Sequence, residues 1–309
     1  MTTKASGRTA VSLPRQPTFF SRLQRKAAPY LFISPFFIGF LALQLLPIVF
    51  SVFLSLAEWD GMGPIRFVGT TNFTLMLRDA RFWNAFRVTF IITVTCTILG
   101  TIGSLMLAVL LERLPDSLSA VLRVIFFLPS VTSVVVITYV WKQLYNADAG
   151  FFNVVLNRLG LPGQAWLTEP KLALPCLIVM LIWAGLGWDA LIITAGLRSI
   201  PEELYDAAKV DGSNEWQEFW HITLPLLRPT LAFVVVTSVI YLWGLFAQPQ
   251  LLTGGGPLRG TQTIALLLYD TGFRYHKFGY ASAMAVTLSL LMFITSYFNY
   301  KLVQPRIEY

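Results

Sequence analysis

Five stretches of this chain carry no Lys, Arg, Asp or Glu: residues 27–57, 88–111, 124–141, 229–258 and 278–300. A sixth, 172–197, is interrupted only by Asp189. A helix needs about 20 mainly apolar residues to cross the hydrocarbon core of a bilayer, and inside lipid each backbone N–H and C=O must find its partner within the segment. The chain therefore reads as an all-α membrane protein with six transmembrane helices. Strands of a membrane barrel would be about half as long and would alternate apolar with polar residues. Composition agrees, since 55% hydrophobic and 13% charged residues with a mean hydropathy of +0.64 lie outside the range of soluble domains.

Orientation follows from the basic residues beside the first span. Lys4, Arg8, Arg15, Arg22, Arg25 and Lys26 precede it with no acidic residue among them, which places this tail in the cytoplasm. Six crossings return the C-terminus, with Lys301 and Arg306, to the same side, so the loops at 112–123 and 198–228 are expected to be cytoplasmic. The first apolar run is longer than the core of a secretory signal and is expected to remain as a span. A net charge of +7 fits a multi-pass protein of the cell membrane lying against anionic lipid, and no nucleic-acid partner is expected. Cys96 and Cys176 fall inside spans and read as packed small hydrophobes. His221 and His276 fall on opposite sides of the membrane, so no metal site is expected. The segments 58–85 and 146–171 are too short for a further folded domain.

The segment 200–229, IPEELYDAAKVDGSNEWQEFWHITLPLLRP, is polar and acidic between two apolar runs. Ser199 with Glu202 has the spacing of a capping box, and Pro201 suits a first turn where no N–H is needed, which predicts a helix over 201–210. Gly212 suits a positive φ at its end. Asn214 with Gln217 offers a second capping box, for a helix bearing Trp216, Phe219 and Trp220 that Leu224-Pro225 is expected to end.

The same segment carries a family resemblance. Asp206-Ala207-Ala208, three residues, Gly212, nine residues, Ile222, one residue and Leu224-Pro225 resembles the EAA signature of ABC importer permeases, with Asp206 where that signature has Glu. The flanking text, and LLTGGGP at 251–257 followed by TQTIALLLY, resembles the carbohydrate-uptake branch, the permeases similar to the maltose and glycerol-3-phosphate systems. The resemblance extends from about Phe86 to the C-terminus. It implies a type I ABC importer permease fold with a cytoplasmic coupling-helix loop, organised as a basic tail (1–29), a first transmembrane helix (30–57) and a permease domain (86–303). It also implies that Glu203, Asp206, Ala207, Ala208, Gly212, Ile222, Leu224 and Pro225 serve contact with an ATPase. Implied partners are an ATPase subunit dimer, a second permease subunit and an extracytoplasmic solute-binding protein.

Catalytic constellations are lacking. There is no Gly-Lys dipeptide, hence no phosphate-cradling G-x-x-x-x-G-K-[ST] loop, and no H-E-x-x-H, G-x-S-x-G or C-x-x-C. The chain is read as a non-enzyme without a cofactor of its own, with ATP bound by a separate subunit. Polar and aromatic residues within spans are costly in lipid and usually face a cavity or a partner helix. Trp183, Trp188 and Asp189 in the fourth span, with Ser238, Tyr241 and Gln248 in and after the fifth, are the substrate-pathway candidates. Aromatic faces suit the apolar side of a sugar ring, while amides and carboxylates bond its hydroxyls. The competing reading is interfacial anchoring for the aromatic residues and, for Asp189, burial beside Lys142. Gly100, Gly103 and Ser104 read as close-packing positions, and Pro35, Pro47 and Pro129 as tolerated kinks. The alternative function, an ion-coupled secondary transporter of a small polar solute, requires embedded charge relays, and Asp189 is nearly alone.

Overall fold

A computed structural model describes residues 19–303; Lys4, Arg8, Arg15 and Arg306 lie outside the described residues. The chain divides into two units, residues 1–50 and 51–309. In the first, α1 (Phe19–Phe40) passes through a π turn at Leu41–Leu45 into α2 (Leu46–Ser55), whose last five residues belong to the second unit, and Ala28–Ser55 is long and apolar enough to cross a bilayer. The π turn directly precedes Pro47. Its wider coil eases the clash a proline ring makes with the carbonyl four residues back, so the helix continues through the proline.

The second unit opens with a two-stranded antiparallel pair, β1 (Ala57–Glu58) and β2 (Arg66–Phe67), and α3 (Thr71–Arg78). The helices α4 (Ala80–Arg113), α8 (Ala173–Arg198) and α13 (Phe278–Val303) are span-length, as is the continuous helical segment Glu215–Trp243. Between α4 and α8 lie α5 (Asp116–Val131), α6 (Val134–Leu144) and α7 (Phe151–Arg158). Local chemistry sets the bounds of α4. The Asp79 carboxylate accepts the Arg81 backbone N–H at its start, and Leu114, held extended before Pro115, stops it. Burial works to raise the Asp79 pKa, but the Arg81 guanidinium and backbone N–H and the Tyr280 hydroxyl outweigh it, so this carboxyl titrates below its ordinary value.

Five helical segments among the described residues are span-length, and a sixth is reached only by taking the bent pair α5 and α6 as one span: they meet at 104° across the non-helical Thr132 and Ser133. Pro129 itself stays helical, so the bend lies beyond the residue expected to kink. Thr132 turns its hydroxyl back to the Leu128 carbonyl, satisfying the helix end it terminates.

Small residues let the spans approach. A Cβ on Gly187 would collide with the Phe126 carbonyl of α5, and one on Gly103 would lie 2.9 Å from Leu186 Cδ2. Ser104 donates to the Leu186 carbonyl at 3.2 Å. Gly103 and Ser104 are packing positions, whereas Gly100 has open space in front of it. One apolar core gathers Ile92, Cys96, Trp141, Leu177 and Met180; another, at the opposite end of α8, gathers Ala108, Ala190, Ile193, Leu227 and Val234. Cys96 and Cys176 are buried and free.

Candidate functional site: a polar cavity and the 200–229 loop

The cavity is formed where α5 breaks into α6, beside α4, α8 and α11 (Leu224–Trp243), with Gln248 of α12 (Ala247–Leu252) in its wall. Its volume is about 530 Å³. Of the six residues singled out in the spans, Trp188, Asp189, Ser238, Tyr241 and Gln248 line it together. Trp183 does not; it packs edge-on against Trp141, with centroids 5.4 Å apart. Asp189 and Trp188 come from α8, Ser238 and Tyr241 from successive turns of α11, and Gln248 from α12. Burial beside Lys142 is not how Asp189 is satisfied. Lys142 donates to the Leu251 carbonyl at 3.3 Å, and it is the Ser238 hydroxyl that faces the Asp189 carboxylate.

The polar groups are partly committed. Gln248 is buried and donates its amide to the Tyr241 hydroxyl oxygen, which leaves the Tyr241 O–H free to donate into the cavity. One face of Trp188 stacks on Phe127 at 6.1 Å, and the ring also borders the cavity. Ser130, at the α5 break, has a buried hydroxyl with no partner. Gly100, Ser130, Thr132 and Thr237 complete the polar and open parts of the wall and were not among the residues expected there. For Ser130 and Thr132 the sequence holds a signal, the cluster Pro129-Ser130 with Thr132-Ser133, four polar or helix-breaking residues within a span; Gly100 and Thr237 have none of this kind.

The other feature is the loop between α8 and α11. Its first helix, α9, runs Glu202–Val210. The expected capping box at Ser199 is absent: Ser199 donates to the Gly196 carbonyl, closing the last turn of α8, and Pro201 occupies the N-cap. Helix α9 ends as a Schellman motif, with Ser213 N–H on the Ala208 carbonyl, Gly212 N–H on the Lys209 carbonyl and Gly212 at φ +82°. Acidic Glu202 and Glu203 in the first turn and Lys209 in the last complement the helix dipole. Helix α10 (Glu215–Glu218) begins with the Asn214–Gln217 capping box. Leu224-Pro225 does not end the helix that follows. A π turn at Phe219–Thr223 carries the chain into α11, and its wider coil accommodates Pro225.

These helices are bound together and to the spans. The Tyr205 hydroxyl bonds Thr223 at 2.9 Å, and Tyr205 and Ile222 pack on the core at this end. Glu112 at the end of α4 accepts Arg123 of α5 and, at 3.1 and 3.2 Å, Arg198 of α8, while Arg113 pairs with Glu215. Asp206 and Ala207 face outward, beside Val210, which is 88% exposed; Ala208, Ile222, Leu224 and Pro225 are partly buried.

The family model for the binding-protein-dependent transport system inner membrane component matches residues 100–309, which hold the loop and all of the cavity lining except Cys96. The chain belongs to this family. The permease is 33% identical over 284 residues to the probable ABC transporter permease protein YurN of Bacillus subtilis (strain 168), covering 90% of this chain and 96% of that one. It is 30% identical over 280 residues to the arabinooligosaccharides transport system permease protein AraP of the same organism, covering 90% and 89%. A crystal structure of a bacterial ABC transporter involved in the import of the acidic polysaccharide alginate shares its fold, with a TM-score of 0.83 and 22% identity over 94% of this chain and 99% of that one. The protein is thus a multi-pass inner membrane permease of a binding-protein-dependent ABC importer and is not itself catalytic. Membership removes the ion-coupled transporter as an alternative.

Proposed function

We propose that the permease carries a sugar, an oligosaccharide or a polyol derivative through the cavity between α5, α8, α11 and α12, as half of a pathway completed by a second permease subunit. The observation that carries this reading is the convergence of Trp188, Asp189, Ser238, Tyr241 and Gln248 on one wall from helices on either side of the loop. Carbohydrates present hydroxyls that donate and accept beside apolar C–H faces. Two aromatic rings, a carboxylate, hydroxyls and an amide meet both needs. The cargo of the arabinooligosaccharide relative supports the same chemical class.

Helix α9 is the docking element for an ATPase subunit, one of a dimer. Asp206 and Ala207 present a small, polar surface that allows close approach, and exposed Val210 gives an apolar contact. Glu203 extends this outward face, while Gly212, Ile222, Leu224 and Pro225 hold α9 against the membrane helices. The 86–303 permease domain moves as the ATPase dimer closes, switching access between the two sides. Both termini and the loop lie in the cytoplasm, and a solute-binding protein delivers cargo to the opposite face.

Trp188→Ala and Tyr241→Ala test the pathway. Each is expected to lower uptake at least tenfold per assembled complex in proteoliposomes while ATPase stimulation by the loaded binding protein stays within about twofold. Unchanged uptake with reduced insertion would assign both rings to interfacial anchoring instead.

A further inference from the structure

Among the described residues that line the cavity, Asp189 is the only Asp or Glu, and none is Lys, Arg or His. The surrounding polar groups do not neutralise it. Ser238 and Tyr241 offer it only neutral hydroxyls, and Gln248 spends its amide on the Tyr241 oxygen. Lys142 is committed to the Leu251 carbonyl and lies over the Tyr139 ring. Backbone dipoles could in principle supply positive potential, since α6 begins at the cavity with Val134 and Ser133 gives it no side-chain cap. The C-terminal end of α5, with Ser130 and Thr132, lies at the same break and carries the opposite partial charge. Two such ends oppose each other, each worth about half a charge, and leave one full carboxylate unopposed.

We propose that Asp189 is a charge filter, a specificity-determining residue that admits neutral carbohydrate and rejects anionic carbohydrate such as uronates. This rests on the carbohydrate reading above and narrows it. Hydroxyl groups give the carboxylate the donors it lacks, and the free Tyr241 O–H and the unpartnered Ser130 hydroxyl bond the sugar's remaining oxygens. A uronate brings a second carboxylate into the same space. At about 6 Å and an effective dielectric of about 20, like-charge repulsion amounts to roughly 100-fold in affinity. The alginate importer handles an acidic polymer, but at 22% identity it shares only the fold.

The test uses the whole importer with its ATPase and second permease in lipid nanodiscs, without binding protein, so that its selectivity does not mask that of the cavity. Probes are four neutral disaccharides of different linkage, each paired with its uronate of the same size, with binding followed by saturation-transfer NMR at pH 7. The wild type is expected to favour the neutral member by at least about tenfold. Asp189→Asn should bring that ratio to within about twofold by admitting the uronate, and Asp189→Glu should retain it, with both variants assembling as the wild type does. A wild type that binds both members alike, or an Asp189→Asn ratio equal to that of the wild type, overturns the filter and leaves the carbohydrate reading standing. Binding of no saccharide by the wild type overturns the carbohydrate reading, and the filter with it.

Discussion

Gly187 shows how much one residue decides at the cavity. It faces the Phe126 carbonyl so closely that any side chain must push α5 and α8 apart. Its neighbours Trp188 and Asp189 form the wall, so the crossing both packs the helices and aims the site. Gly187→Ala is expected to destabilise the protein by about 1–3 kcal/mol, as overpacking of a dense interior does. It should also weaken substrate binding, because Trp188 moves with the helix. A lower thermal midpoint in detergent would report the first effect, and an unchanged midpoint would contradict the close contact. Asp189 stood out as a cavity-lining residue at this scale because a carboxylate in an uncharged run has few tolerable surroundings, and Trp188 and Tyr241 because polar-edged rings within a span usually face a cavity or a partner helix. Trp183 carried the same signal without lining the cavity, since tryptophan also serves as packing mass against rings such as Trp141. No residue type distinguishes the two uses.

Among the elements, long apolar runs gave away the spans, but not their breaks. The bend of 104° between α5 and α6 depends on the non-helical backbones of Thr132 and Ser133, and a count of uncharged residues carries no such information. Nor does the count give the ends of the helices. Helix α4 begins at Ala80, capped by Asp79, and runs past Arg81 and Arg87 because a charged residue at a membrane edge does not stop a helix. In the loop, the Asn214–Gln217 cap and the positive φ of Gly212 were readable because both are local. Ser199 was misread since its hydroxyl had a nearer acceptor in the preceding helix. Glu112, which holds α4, α5 and α8 together at the loop end, had no signal in the sequence, because its arginines lie 11 and 86 positions away. Glu112→Gln should cost only about 1 kcal/mol in stability, as partly exposed ion pairs do. It should nevertheless loosen the link from loop to cavity wall, reducing uptake several-fold at normal assembly. Uptake equal to that of the wild type would show that the cluster transmits nothing.

At the scale of the whole molecule, the loop and the cavity occupy opposite reaches of the same two helices, α8 and α11. The loop is stiff: capped at both of its helices, pinned through Tyr205 to Thr223, and continuous with α11 through a π turn. In the proposed coupling, a displacement of α9 is delivered to the spans that carry Trp188, Asp189, Ser238 and Tyr241. Damage at either end should have distinguishable consequences. Ala207→Trp blocks close approach of a partner, and Gly212→Pro cannot take the φ of +82° that ends α9. The decisive measurement is substrate accumulated per ATP hydrolysed, in proteoliposomes holding the complete importer and loaded binding protein. Both loop variants are expected to lose binding-protein stimulation of ATP hydrolysis together with uptake, whereas Tyr241→Ala should keep the stimulation and lose the uptake, so its ratio falls at least tenfold. Stimulation and uptake at wild-type levels in the two loop variants would contradict the account.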